Sequence, residues 1–329
     1  MVNKKIINLN NGRSALDLGI KVLSLKKGTK ILVPEIICDV AIKVFLRNNL
    51  KVKYYKLNSK FEPIWSDLYK KKSSDVSCIL MVHFFGFPQN IKKFKYFSKK
   101  QKLFLIEDNC HSLNLKFKEI SLGNNGDIGV DSPRKIFNDL YSGGRLFINK
   151  KLNYKFEKLI QYQPNILSKY KKIIKKDFKN FYTNIKFLGK RPNYESPFLY
   201  SDKDNNFNIE KMDNFSENYL KCINFKKESI KRITLYKKLE KFAKKNRIKP
   251  VFKIKSNLIP MSFVGIASSK SHASKLFDWG WKNKVEITSL PSFYSKAKLD
   301  KKLINRWSKY ICIPLNQNFK INISKINDR

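Results

Sequence analysis

At 329 residues the chain is long enough to bury one large hydrophobic core and a smaller one, and two domains are expected, with the boundary at 225/226. Its 42% hydrophobic and 13% aromatic content excludes a disordered protein, and it contains no run of about 18 apolar residues that would span a bilayer. The net charge of +43, from 69 basic against 26 acidic residues, invites a nucleic-acid reading. The lysines, however, are spread along the whole chain, and Asn and Ile are abundant too, which compositional bias explains and phosphate binding does not; no specific nucleic-acid partner is expected. The five cysteines (Cys38, Cys78, Cys110, Cys222 and Cys312) have no CxxC spacing, which predicts neither a metal site nor a disulfide framework and fits a reducing cytoplasm. The segment MVNKKIINLNNG lacks the apolar core of a signal peptide.

In chain order, Ser14–Leu25 carries Ala15, Leu18, Val22 and Leu25 at helical spacing, with Gly28 as a stop. Lys30–Pro34 and Val52–Leu57 read as short strands with a helix between them. Cys78–Phe85 and Leu103–Ile106 are nearly continuous apolar runs, as expected of strands buried on both faces of a parallel sheet, and Ile91–Lys100 has the length of a crossover helix. From Lys150 to Lys227 periodicity is weak, and only helices and a long loop around Arg191–Asn206 are expected. Beyond Glu228 the residues Ile230, Ile233, Leu235, Leu239 and Phe242 predict a helix, followed to Asn318 by short strands and a helix of a small α+β domain.

Three segments can carry chemistry. Asn11-Gly12-Arg13-Ser14 is a glycine turn opening into a helix, where free N–H groups and the dipole favour a phosphate; an ordinary capped helix is the plainer reading. Glu107-Asp108-Asn109-Cys110-His111 ends a buried strand, where ligands sit in open α/β sheets; the alternative is a solvated loop with a capping Asp and a packed His. Gly126–Lys135 runs from a short strand through Ser132 and Pro133 to Lys135, and Gly143-Gly144 lead into a strand at Arg145–Asn149, which suggests a constrained turn rather than a solvated helix face.

Together these segments resemble the DegT/StrS family of sugar aminotransferases. The resemblance rests on GRSAL, LVPEIICD, VHFFG, IEDNCHS and GDIGV in that order, then Ser132, Lys135 and, eight residues on, Gly143. It implies an α/β fold of the fold-type I pyridoxal-phosphate (PLP) class, a mostly parallel sheet with helices on both faces plus a small C-terminal α+β domain. It also implies that Lys135 bears the cofactor and shuttles a proton, and that Asp108 holds the pyridine nitrogen protonated. Gly12, Arg13, Ser14 and Ser132 would bind the cofactor phosphate, and His111 stands where the family more often has glutamine against the ring. Cys38 takes the place of a ring-stacking aromatic, and the Ser132–Lys135 spacing is shorter than usual. The asparagine–arginine motif by which a partner subunit completes the phosphate site has no clear counterpart, Asn193 being a guess. The implied activity transfers an amino group from a donor such as glutamate to a keto sugar carried on a nucleotide, in amino-sugar or surface-polysaccharide synthesis by a homodimer. The related sugar dehydratases have histidine in place of the lysine, which Lys135 argues against. The alternatives are another PLP reaction on this scaffold and a non-catalytic binder of anions or nucleic acid.

Overall fold

The computed structural model describes residues 5–113, 116–117, 120–149, 152, 154–167, 170, 187, 189, 207–256, 258–294, 297 and 299–315. Through the first half its elements are β1 (Lys5–Leu9), α1 (Gly12–Leu23), β2 (Lys30–Pro34), α2 (Asp39–Arg47), β3 (Lys51–Tyr55), α3 (Trp65–Lys71), β4 (Val76–Val82), α4 (Ile91–Lys100) and β5 (Phe104–Asp108). Then come β6 (Lys116–Phe117), β7 (Ile120–Ser121), β8 (Ile128–Asp131), β9 (Gly144–Ile148), α5 (Asn214–Lys221) and α6 (Phe225–Lys245). The chain continues with β10 (Lys249–Pro250), β11 (Ser262–Ile266), α7 (Lys270–Lys282), α8 (Lys301–Trp307) and β12 (Tyr310–Pro314).

The main sheet has seven strands in the order β1-β9-β8-β5-β4-β2-β3. β3, β2, β4, β5 and β8 are mutually parallel; β9 runs against both β8 and β1, so only one strand breaks the common direction. This is the expected α/β architecture. The apolar runs explain it: Ile79, Leu80 and Met81 of β4 are fully buried, which requires cover on both faces. Each such side chain contributes about 1.5–3 kcal/mol by leaving water. A second, antiparallel sheet, β10-β11-β12, is made wholly of residues after 248, and the expected boundary at 225/226 falls in the first turn of α6. No helix among the described residues is long and apolar enough to cross a membrane.

Among the boundaries that differ from the sequence expectation, those of α1 and β4 have clear local reasons. α1 begins at Gly12 rather than Ser14 because Asn11 is its cap, accepting the Ser14 N–H at 3.0 Å, and it stops at Ser24, whose φ of 49° is left-handed. β4 ends at Val82, not Phe85. Phe85 has φ 54°, and its N–H donates to the His111 side chain at 3.2 Å, so the chain bends into a short 3-10 turn over Phe84–Gly86. That bend lies at the carboxyl edge of the sheet, beside the ends of β5 and β8, where open α/β sheets place their ligands.

Candidate active site

The three chemical segments meet at this edge. A Cβ on Gly12, at the start of α1, would lie 3.2 Å from both Cys110 Sγ and Ser132 Cβ. Residue 12 thus lets the helix N-terminus approach the ends of β5 and β8 closely. The glycine pair is stitched to the same place: Gly143 N–H donates to Asn10 O at 2.7 Å, and Ser132 Oγ donates to Gly143 O at 3.3 Å. Gly144 leaves no room for a side chain, since a Cβ there would fall 2.1 Å from Asn11 O.

Three carboxylates stand at or near the strand ends, and the structure distinguishes them. Glu107 is fully buried and accepts from His83 Nε2 at 2.9 Å, Asn125 N at 2.6 Å and Asn125 Nδ2 at 2.9 Å. His83 Nδ1 accepts from the Gln89 N–H at 3.0 Å, which puts the ring proton on Nε2, toward Glu107. Burial opposes the Glu107 charge, but these donors outweigh it and hold the carboxyl below the usual glutamate range. Asp131 is fully buried too and meets Arg145, its cross-strand partner on β9, with both carboxylate oxygens at 2.5–3.1 Å. Burial still leaves its carboxyl above the ordinary aspartate range, with Arg145 pulling the other way. Asp108 is different. It is half-buried, its Oδ1 accepts the Cys110 N–H at 2.9 Å beside the Cys110 thiol, and it forms no salt bridge among the described residues, although its charge acts on Lys135.

Lys135 closes the 3-10 turn Pro133–Lys135, its N–H bonded to Ser132 O at 2.9 Å. The residue is solvent-exposed. The surrounding protein disfavours its charge, yet Cys110, Cys38 and Asp108 together keep the ammonium above the ordinary lysine range. Reciprocally, the Cys38 thiol, at the cap of α2, is pushed up mainly by burial while Lys135 opposes the shift. Lys135, Asp108, Cys38 and Cys110 therefore form one electrostatic cluster.

His111 contributes a neutral ring. Burial first, and the Lys135 charge second, push its pKa well below the usual histidine value. With Nδ1 accepting from Phe85, the proton sits on Nε2, and His111 can donate a hydrogen bond but not act as an imidazolium acid. Its ring stacks on Phe85 with centroids 5.5 Å apart. Ser14 is fully buried and gives its hydroxyl to Asn208 O at 3.1 Å, so its donor is committed inside the fold rather than held out at the helix end. Arg13 lies one residue into α1 with its guanidinium 5.4 Å from the Phe207 ring. Asn193 lies outside the described residues.

Sequence reasoning missed the role of Cys110, which the EDNC string already contained, and those of Phe85, His83 and Arg145. The first could have been read from its two-residue offset from Asp108; the others are set by contacts across strands.

Residues 1–164 match the sequence profile of the DegT/DnrJ/EryC1/StrS aminotransferase family. The chain belongs to that family. GDP-perosamine synthase of Escherichia coli O157:H7 is 25% identical over 125 residues, covering 38% of this chain and 34% of that enzyme, so the match spans about a third of the curated relative's length. Among solved structures, the aminotransferase TlmJ from Streptoalloteichus hindustanus superposes with a TM-score of 0.64 at 13% identity, over 94% of this chain and 80% of that one. NtdA from Bacillus subtilis, solved with bound cofactor PMP, gives a TM-score of 0.64 at 17% identity over 94% and 68%. The E. coli GDP-4-keto-6-deoxy-D-mannose-3-dehydratase with bound hydrated PLP gives a TM-score of 0.61 at 15% identity over 94% and 82%. These likenesses establish the fold, which aminotransferases and a dehydratase share.

Proposed function

We propose that the chain is a PLP-dependent aminotransferase that moves an amino group from an amino acid, glutamate being the favoured donor, to a keto sugar linked to a nucleotide. The observation that carries this reading is the state of the three acids. Glu107 is held by His83 and Asn125, and Asp131 by Arg145, whereas Asp108 has no salt bridge among the described residues and its charge acts on the Lys135 amine. The residues fit PLP: an exposed lysine close enough to Asp108 to feel its charge, a carboxylate for the ring nitrogen, and a helix N-terminus pressed against Ser132 through Gly12. When bound, PLP would supply an electron sink and store the amino group between the two halves of the reaction.

The protein's own part is then positional and acid–base. Asp108 would hold the cofactor's ring nitrogen and favour its protonated form. Lys135 would hold the cofactor and serve as the base that moves a proton from one carbon of the substrate to another. The N-terminus of α1, with Arg13 and Ser132, would hold the phosphate by N–H groups, charge and dipole. His111 would offer a neutral N–H to the cofactor, and Cys38 would stand where an aromatic is more usual. A homodimer in the cytoplasm, with the domain boundary at 225/226, belongs to the same proposal. A different PLP reaction is the second reading, favoured by the dehydratase among the fold neighbours; Lys135 speaks for transamination.

The donor half reaction is the test. Glutamate should bleach the visible band of the lysine-bound cofactor and release its keto acid, and a nucleotide-linked keto sugar should restore the band. A loaded protein that no amino donor converts would overturn the aminotransferase reading and promote the second one.

A further inference from the structure

Lys135 ends a turn that runs out of donors. The Pro133 carbonyl is taken by the N–H groups of both Ile136 and Phe137, each at 2.9 Å, and the turn goes no further. The Ile136 carbonyl, just past the turn, is an acceptor on a residue only 1% exposed, so water cannot serve it. Its donor comes from 96 residues away: Arg232 NH2, on α6, at 2.8 Å. The same guanidinium gives NH1 to Pro260 O at 3.1 Å and Nε to Glu228 Oε1 at 2.5 Å, and Arg232 is itself 2% exposed.

The Pro260 end of this fork leads back to the site. Met261 N–H donates to Phe85 O at 2.8 Å, and Phe85 N–H is the group that holds His111. The packing is tight enough that a Cβ on Gly86 would lie 2.8 Å from Pro260 Cα and 3.1 Å from His111 O. One buried arginine therefore ties the residue after Lys135, through one N–H group, to the strap that supports His111, through another. A lysine could not do this, because a single ammonium lacks the planar fork that reaches two carbonyls while pairing with a carboxylate.

We propose that Arg232 is a positioning residue for the reactive lysine: by clamping the Ile136 carbonyl it fixes the direction of Lys135 relative to Asp108 and His111. This rests on the reading that Lys135 bears the cofactor.

The test is the site and rate of cofactor attachment in the full-length protein, measured by adding PLP, trapping with borohydride and mapping the labelled lysines, with the thermal stability of each protein recorded alongside. Arg232→Met should slow labelling of Lys135 by roughly ten- to hundredfold, the scale set by displacing a reacting group by about 1 Å, and spread label onto other lysines. Arg232→Lys should recover only part of the rate. Glu228→Gln loosens the same arginine from the far side but leaves both carbonyl bonds; it should lose stability and keep the labelling rate. A folded Arg232→Met that labels Lys135 like the wild type overturns the proposal. So does Glu228→Gln losing the rate as fully as Arg232→Met, and, should Arg232→Met not fold, so does Arg232→Lys labelling at the full rate. A wild-type protein with no label on Lys135 would instead bring down the cofactor reading on which the proposal stands.

Discussion

Replacing Glu107 with Gln should damage the fold far more than the chemistry. In the native protein Oε1 accepts two hydrogen bonds, from His83 Nε2 and Asn125 Nδ2, and Oε2 accepts the Asn125 N–H at 2.6 Å. A glutamine placed with its carbonyl at Oε1 keeps two of these as neutral bonds, each weaker by about 1 kcal/mol than its charge-assisted form. Its amide NH2 then faces the Asn125 N–H, donor against donor, and a buried N–H left without an acceptor costs about 1–3 kcal/mol. The sum is about 3–5 kcal/mol, in the range for breaking a buried charge network from one side. Urea unfolding of the cofactor-free protein would read it as a lower midpoint. The pH dependence gives a second check. Folding lowers the Glu107 pKa, so its stabilisation is complete above the ordinary glutamate range and is lost as pH falls through the folded value. The gap between wild type and variant should narrow in acid. A loss below about 1 kcal/mol, or a gap that widens in acid, would refute the assignment of Glu107 to the fold.

Asp108→Asn should leave the unfolding midpoint within about 1 kcal/mol of wild type but cut turnover by orders of magnitude, since an amide cannot hold the ring nitrogen protonated; steady-state kinetics beside the unfolding curve checks the pair. Attachment of PLP to Lys135 should accelerate as pH rises, and continue to do so beyond the range of an ordinary lysine, because Cys110, Cys38 and Asp108 retain the proton; stopped-flow absorbance against pH would show an early plateau if this is wrong. Duplex DNA should bind weakly and lose affinity steeply with salt, and nanomolar sequence-selective binding at physiological ionic strength in a gel-shift titration would restore the nucleic-acid reading. Light scattering under assay conditions should give a dimer, against which a fully active monomer would count.

The parts of this fold that could be read from the sequence are those written in local pattern. The apolar runs at β4 and β5 announced buried parallel strands, and the stripe from Ala15 to Val22 announced α1. Lys135 and Asp108 could be nominated from the sequence because strand ends, a glycine turn and a glycine pair stand at set spacing around them. The edge strand β1 was not, since KIINL is only half-buried and carries no alternation. Nor was the bend at Phe85, where a buried aromatic adopts a left-handed backbone because His111, 26 residues on, captures its N–H. The separation of Glu107 from Asp108 could be argued from the pleat alone. What locks Glu107 away, His83 and Asn125, lies 24 and 18 residues off and becomes visible only once β4, β5 and the turn before β8 are assembled. The partner of Ser14 was equally invisible: its hydroxyl donates to the Asn208 carbonyl, 194 residues later.

The central claim is that Lys135, among so many lysines, is the one that carries the cofactor. Reconstitution of the wild-type protein with PLP, borohydride trapping and peptide mapping by mass spectrometry tests it most directly. The account predicts one dominant label on the peptide containing Lys135, absent from Lys135→Ala. A dominant label on any other lysine, or one that persists undiminished in Lys135→Ala, would contradict it.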